Sequence, residues 1–139
     1  MQTFMPLNTY RTSALALDNK RLGKQRVEAY QILRTLFGIN AGWANHPAVK
    51  LWRGHEASLC LYAMAMCSEW VRRGFTDNLF PYFNENYQDL LAYGEPVIPE
   101  LLLRKDLQVS HQSNLIRKDP TYYSKLFDGV PDNLPYIWE

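Results

Sequence analysis

The chain has 139 residues, with 15 Lys and Arg against 14 Asp and Glu and a net charge of +1. That balance excludes a bulk attraction to nucleic acid or to an acidic membrane surface, so any anionic ligand must be met by a local patch. At 47% hydrophobic and 14% aromatic residues, the chain is ample for one packed core and short for two, and a single domain over residues 1–139 is expected.

The opening MQTFMPLNTYR has no basic stretch followed by an apolar run, so no secretory signal is expected. The first long helix is predicted from Thr12 to Phe37, with a bend near Asn19 or Gly23, since glycine weakens a helix interior. On its wheel Leu22, Ala29, Leu33 and Leu36 share one face. Arg26 falls in the middle of that face and Asp18 near its edge, which predicts an Asp18–Arg26 pair, because a cation in an apolar sector costs several kcal/mol unless it is paired.

The loop GINAGWANHP ends in Pro47, which suits a first helical turn. A second helical region is predicted from Pro47 to about Arg73, interrupted at Gly54 and apolar on every side at its centre. Leu59, Tyr62, Ala63, Met66 and Trp70 are its expected core residues, as befits the middle of a bundle. Its longest uncharged run, ASLCLYAMAMC, has about half the length needed to cross a bilayer, so a cytoplasmic protein with no membrane partner is expected. Cys60 and Cys67 stand about 10 Å apart on this helix, too far for a mutual disulfide, and read as buried thiols.

Phe75 to Tyr93 forms a third, aromatic-rich segment, and GEPVIPE a proline-punctuated connection. Asp106 to Lys118 reads as a short helix, and Asp119-Pro120 as cap and first turn of another, PTYYSKLF. The tail DGVPDNLPYIWE holds too many prolines for helix, but Tyr136, Ile137 and Trp138 are expected to pack back on the body. No alternating run requires a sheet. The fold class expected is all-α, a compact helical bundle around a central apolar helix with an irregular proline-rich tail.

Three clusters carry chemistry. In the first helix Lys20, Arg21, Lys24 and Arg26 put four cations into seven residues; Arg21, Gln25 and Glu28 line one flank, and Lys20 and Lys24 project away from Leu22. The plainest reading is a solvated charged face. In NHPAVKLWRGHE, Asn45, His46, Lys50, Arg53, His55 and Glu56 surround Trp52. His46, His55, Glu56 and the distant His111 can be drawn as a metal site, yet no spacing matches a helical histidine pair or a Cys-x-x-Cys pair, and no metal is expected. In SHQSNLIRKDPTYY, Ser110, Ser113, Asn114 and Arg117 can share one helical side, with Lys118, Tyr122 and Tyr123 following. Polar donors, guanidinium and rings in that order suit phosphate contacts beside base stacking, although the tyrosines equally suit a core and His111 a half-buried position.

These clusters together, with MQTFMP, LDNKRLGKQRVEA and NLPYIWE, resemble the pyrimidine-dimer DNA glycosylase family of the endonuclease V type, and most closely a branch of short bacterial and phage proteins assigned to it by similarity. The resemblance implies a compact all-α protein that binds damaged double-stranded DNA, breaks a glycosidic bond and then cleaves the strand at the abasic site, without a cofactor or an obligatory protein partner. In that mechanism the terminal α-amine attacks the sugar and forms an imine, and a glutamate of the first long helix assists. An α-amine has a pKa near 8, against about 10.4 for lysine, and is partly neutral at neutral pH. Carried onto this chain, the resemblance points to Met1 as the amine, Glu28 as the glutamate and Arg26 as the arginine beside it. DNA contacts fall to Lys20, Arg21, Lys24, His46, Arg53, His111, Ser113, Arg117, Lys118, Tyr122 and Tyr123. The chain departs from the pattern at Gln2, where a small first residue is usual, and at Val27, which aligns with the glutamate unless the match shifts by one residue to Glu28. The alternatives are a DNA-binding module that lacks the nucleophile and a metal-dependent hydrolase using His46, His55 and His111.

Overall fold

A computed structural model describes residues 1–139, the side chain of Ala41 excepted. Eight α-helices account for most of the chain, and no strand occurs among the described residues. The first helix of the sequence reading is two: α1 (Tyr10–Ala16) and α2 (Asn19–Leu36). The break falls at Leu17 and Asp18, both extended, just before Asn19, and α2 runs through Gly23 without interruption. The glycine serves packing there, because a Cβ would lie 2.9 Å from Cη2 of Trp70.

Helices α3 (Pro47–Trp52) and α4 (Glu56–Arg72) are separated at Gly54 as expected, where φ is +84° and a side chain would be strained. Helix α5 (Phe80–Leu90) follows, then α6 (Glu100–Leu103), a single turn that begins on the last residue of the proline-punctuated connection. Helix α7 (Lys105–Lys118) leads into α8 (Pro120–Leu126), capped as expected by the Asp119 carboxylate, which accepts from Tyr122 N–H at 3.2 Å.

Helix α4 packs against α1, α2 and α5. Leu59, Tyr62, Ala63 and Met66 are fully enclosed, whereas Trp70 is only half-buried, because its ring lies at the helix end against Phe75 at 4.1 Å and its N–H donates to Thr76 O. Cys60 and Cys67 are buried free thiols, each pushed up to about 12 by burial. No helix is long and apolar enough to cross a membrane, and the described residues hold no cluster of metal-binding side chains.

The feature that places the site is the N-terminal segment. Residues Thr3 to Met5 run extended through the core at 0 to 3% exposure, without a ladder partner, so side chains must satisfy the backbone. Phe4 N–H donates to Gln25 Oε1 at 3.0 Å, and Phe4 O accepts from the Tyr62 hydroxyl at 2.8 Å. Met5 N–H donates to His111 Nδ1 at 2.8 Å, and Pro6 O accepts from Gln112 Nε2 at 2.8 Å. Trp52 Nε1–H donates to Thr3 Oγ1 at 2.9 Å. Four helices thus grip this strap. The tail lies back over α7, where Ser110 donates to Pro135 O at 2.6 Å and Leu134 N–H donates to Ser113 Oγ at 3.0 Å.

Candidate active site

A cleft of about 440 Å³ opens where the N-terminal strap crosses α2. Met1, Gln2 and Phe4 line it from the strap, Lys20, Arg21, Lys24, Gln25 and Glu28 from α2, Lys118 from the end of α7 and Tyr136 from the tail. Helical periodicity explains the α2 contribution: Lys20, Lys24 and Glu28 follow one row at four-residue spacing, and Arg21, Gln25 and Glu28 the neighbouring row. The two rows converge on Glu28. It is the only carboxylate lining the cleft, among four side-chain cations and the terminal amine.

Glu28 is half-buried. Burial raises its carboxyl above the usual carboxylate range, and the Met1 amine, Lys24, the Gln2 amide and Gln25 draw it only part of the way back. Gln25, itself 2% exposed, donates from Nε2 to Glu28 Oε2 at 2.7 Å and to Gln2 O at 3.3 Å. Its Oε1 accepts from the Tyr62 hydroxyl at 2.6 Å as well as from Phe4 N–H. His46 caps α3, with Nδ1 accepting from Ala48 N–H at 3.1 Å. Partial burial and then the charge of the Met1 amine lower its pKa, so the α3 cap stands within the field of that amine.

Several residues that the sequence groups together stand apart in the fold. Arg26 does not pair with Asp18 and does not line the cleft; it is 8% exposed and lies against Asp77, with Nε and an Nη at 2.9 and 2.5 Å from Oδ1. Its guanidinium also sits 5.1 Å from the Trp70 ring centroid. Burial alone would raise the Asp77 carboxyl, but Arg26 and the Phe80 amide hold it below its ordinary range. Asp18 meets Arg21 at 3.2 Å and the Tyr123 hydroxyl at 2.5 Å instead.

His111, Ser113 and Tyr123, expected at a DNA surface, are each at most 1% exposed and cannot reach a duplex. His111 secures Met5, Ser113 secures the tail, and Tyr123 docks α8 on the start of α2. Burial lowers the His111 pKa to about 3, which keeps the ring neutral, and its Nε2 has no partner among the described residues. Arg53 is exposed but donates to Ala44 O at 2.8 Å, bracing the loop before α3. Arg117 is likewise exposed and donates to Asp132 O at 2.7 Å and to Asn114. Tyr122 remains 43% exposed. Nothing local in the sequence marks Gln2, Phe4 and Tyr136 as cleft residues, whereas Gln25 is marked by its spacing of three from Glu28 on the same flank.

An all-helical fold with a cation-rich cleft around its own N-terminus defines a class of protein suited to an anionic polymer. The profile of the pyrimidine dimer DNA glycosylase family matches residues 1–81. That is more than half of the chain, and the chain belongs to this family, whose substrate is DNA. The matched stretch contains the strap, α1 to α4 and every cleft residue except Lys118 and Tyr136. No curated protein and no solved structure matches the chain significantly.

Proposed function

We propose that this protein binds damaged double-stranded DNA in the cleft at its N-terminus and releases a damaged pyrimidine through the α-amine of Met1, with strand cleavage at the resulting abasic site following from the same intermediate. The observation that supports this reading is the meeting of Met1 and Glu28 in one cleft with Lys20, Arg21, Lys24 and Lys118. A neutral α-amine attacks C1′ of the sugar, the C1′–N bond breaks, and the pyrimidine leaves with the bonding pair and takes up a proton. Loss of the amine proton and opening of the ring give an imine. Removal of a C2′ proton then expels the 3′ phosphate. Glu28, as a carboxylate, stabilises the positive charge that builds on the sugar and nitrogen, while the cations hold flanking phosphates and fix the register of the duplex.

Incubation with abasic and with ultraviolet-irradiated duplexes under a hydride reductant tests the reading, because only an amine enzyme becomes covalently attached to DNA. Adduct formation is expected with the untagged protein. An N-terminal tag, which turns the amine into a non-nucleophilic amide, is expected to abolish the adduct while leaving most DNA binding. Glu28→Gln is expected to slow trapping by roughly two to three orders of magnitude. A tagged protein and a Glu28→Gln variant that both process abasic DNA at the wild-type rate would rule the mechanism out and favour a DNA-binding module without this nucleophile.

A further inference from the structure

We infer that Gln25 is a positioning residue of this site: through one buried side-chain amide it ties the carboxylate of Glu28 to the strap that carries the Met1 amine. The inference rests on the imine reading above. Four hydrogen bonds carry it, from Nε2 to Glu28 Oε2 and Gln2 O and to Oε1 from Phe4 N–H and Tyr62 O–H. The two halves of the amide do different work. The oxygen anchors the strap to α2 and α4, which is a structural duty. The nitrogen joins Gln2, one residue from the nucleophile, to the only carboxylate in the cleft, and it has a donor for each.

Phe4 fixes which way round the amide sits. A backbone N–H can only donate, so at 3.0 Å it requires the amide oxygen to face it, which leaves the nitrogen to face Glu28. A flipped amide would set a carbonyl oxygen against a carboxylate. Gln25 therefore favours the charged form of Glu28 against the burial that raises its carboxyl, and fixes its place relative to the strap.

Charged and titratable groups face Glu28 from each element packed around it. Lys20, Arg21 and Lys24 come from α2, the amine from Met1, Lys118 from α7, Tyr62 from α4 and Tyr136 from the tail. Burial works against the charged carboxylate, and Gln25 is one of the groups that oppose it. Loss of its N–H donor moves the protonation of Glu28 to higher pH.

The pH profile of cyanoborohydride trapping on an abasic duplex tests this with two variants. Gln25→Glu keeps an acceptor for Phe4 and Tyr62 but replaces the donor with a second carboxylate. Gln25→Met keeps length and loses both halves without adding charge. The acidic limb is expected to move up by about one pH unit or more in Gln25→Glu and by a smaller step in Gln25→Met. A purely structural glutamine would lower the amplitude at every pH and leave the limb in place. If the wild type traps and the limbs of all folded variants coincide, the role of Gln25 is overturned alone. A wild type that forms no adduct at any pH overturns this inference together with the imine reading.

Discussion

Replacing Arg26 with alanine leaves Asp77, whose side chain is 2% exposed, without its guanidinium partner and removes the cation that covers the Trp70 ring. Breaking a buried ion pair on one side costs about 3–5 kcal/mol, because the surviving charge is stranded. Asp77 would retain Leu79 and Phe80 N–H donors at the start of α5, which places the expected loss nearer the lower end. Arg26→Ala is therefore expected to lower stability by about 3 kcal/mol in urea unfolding and to leave the DNA affinity of the folded protein unchanged, since Arg26 does not line the cleft. A folded variant with near wild-type stability and lost DNA binding would return Arg26 to the interface. The inward aim of Arg26 was legible from the helical wheel, but its partner lies 51 residues away, and no local pattern points to it. His111 and Tyr123 follow the same rule, with hydrogen bonds spanning 106 and 105 residues. Their polar side chains looked like surface chemistry and instead serve the buried backbone of the strap and of Asp18.

At the scale of elements, local chemistry was read directly where it is local in fact. Pro47, Gly54 and the Asp119-Pro120 pair mark helix ends by fixed φ, positive φ and a capping carboxylate, and each stands where the sequence placed it. Less legible were the break before Asn19 and the strap. Residues 10 to 16 and 19 to 36 carry compatible helical periodicity, and what separates them is tertiary: Asp18 N–H is taken by the Tyr123 hydroxyl at 2.8 Å. Gly23 shows the same competition in reverse. In an isolated helix, replacing this glycine with alanine would stabilise by up to about 1 kcal/mol. Here the new Cβ would stand 2.9 and 3.1 Å from two atoms of the Trp70 ring, which is held by its Phe75 stack and its bond to Thr76. Overpacking of that kind costs about 1–3 kcal/mol. Gly23→Ala is thus expected to destabilise by about 1–2 kcal/mol in thermal or urea unfolding; a gain in stability would mean that Trp70 moves freely and that α2 and α4 are not closely packed at this point.

At the scale of the whole molecule, a net charge of +1 gives no attraction for DNA, and the cleft concentrates what positive charge there is. Lys20 and Lys24 are exposed on α2, Lys118 is exposed at the end of α7, and none of the three forms an ion pair among the described residues, while Glu69, Asp77 and Asp106 pair with arginines outside the cleft and Asp18 with Arg21, which lines it. These ion pairs all engage arginines and leave Lys20, Lys24 and Lys118 open to a ligand. Each lysine that meets a phosphate releases counterions on binding and contributes about 0.9 to the slope of log affinity against log salt. Lys20→Gln with Lys24→Gln is expected to reduce that slope by about two units and to weaken binding uniformly across lesion types and sequence contexts. Stability should change little, because both side chains are solvated and lie outside the core. Lys24 also favours the charged form of Glu28, so part of any loss in trapping will come from the carboxylate being more easily protonated, and measuring the slope separates the two effects, since a titration change leaves it unmoved. An unchanged slope would show that Lys20 and Lys24 are a solvated face and that the duplex approaches the cleft from the side of Lys118 and Tyr122.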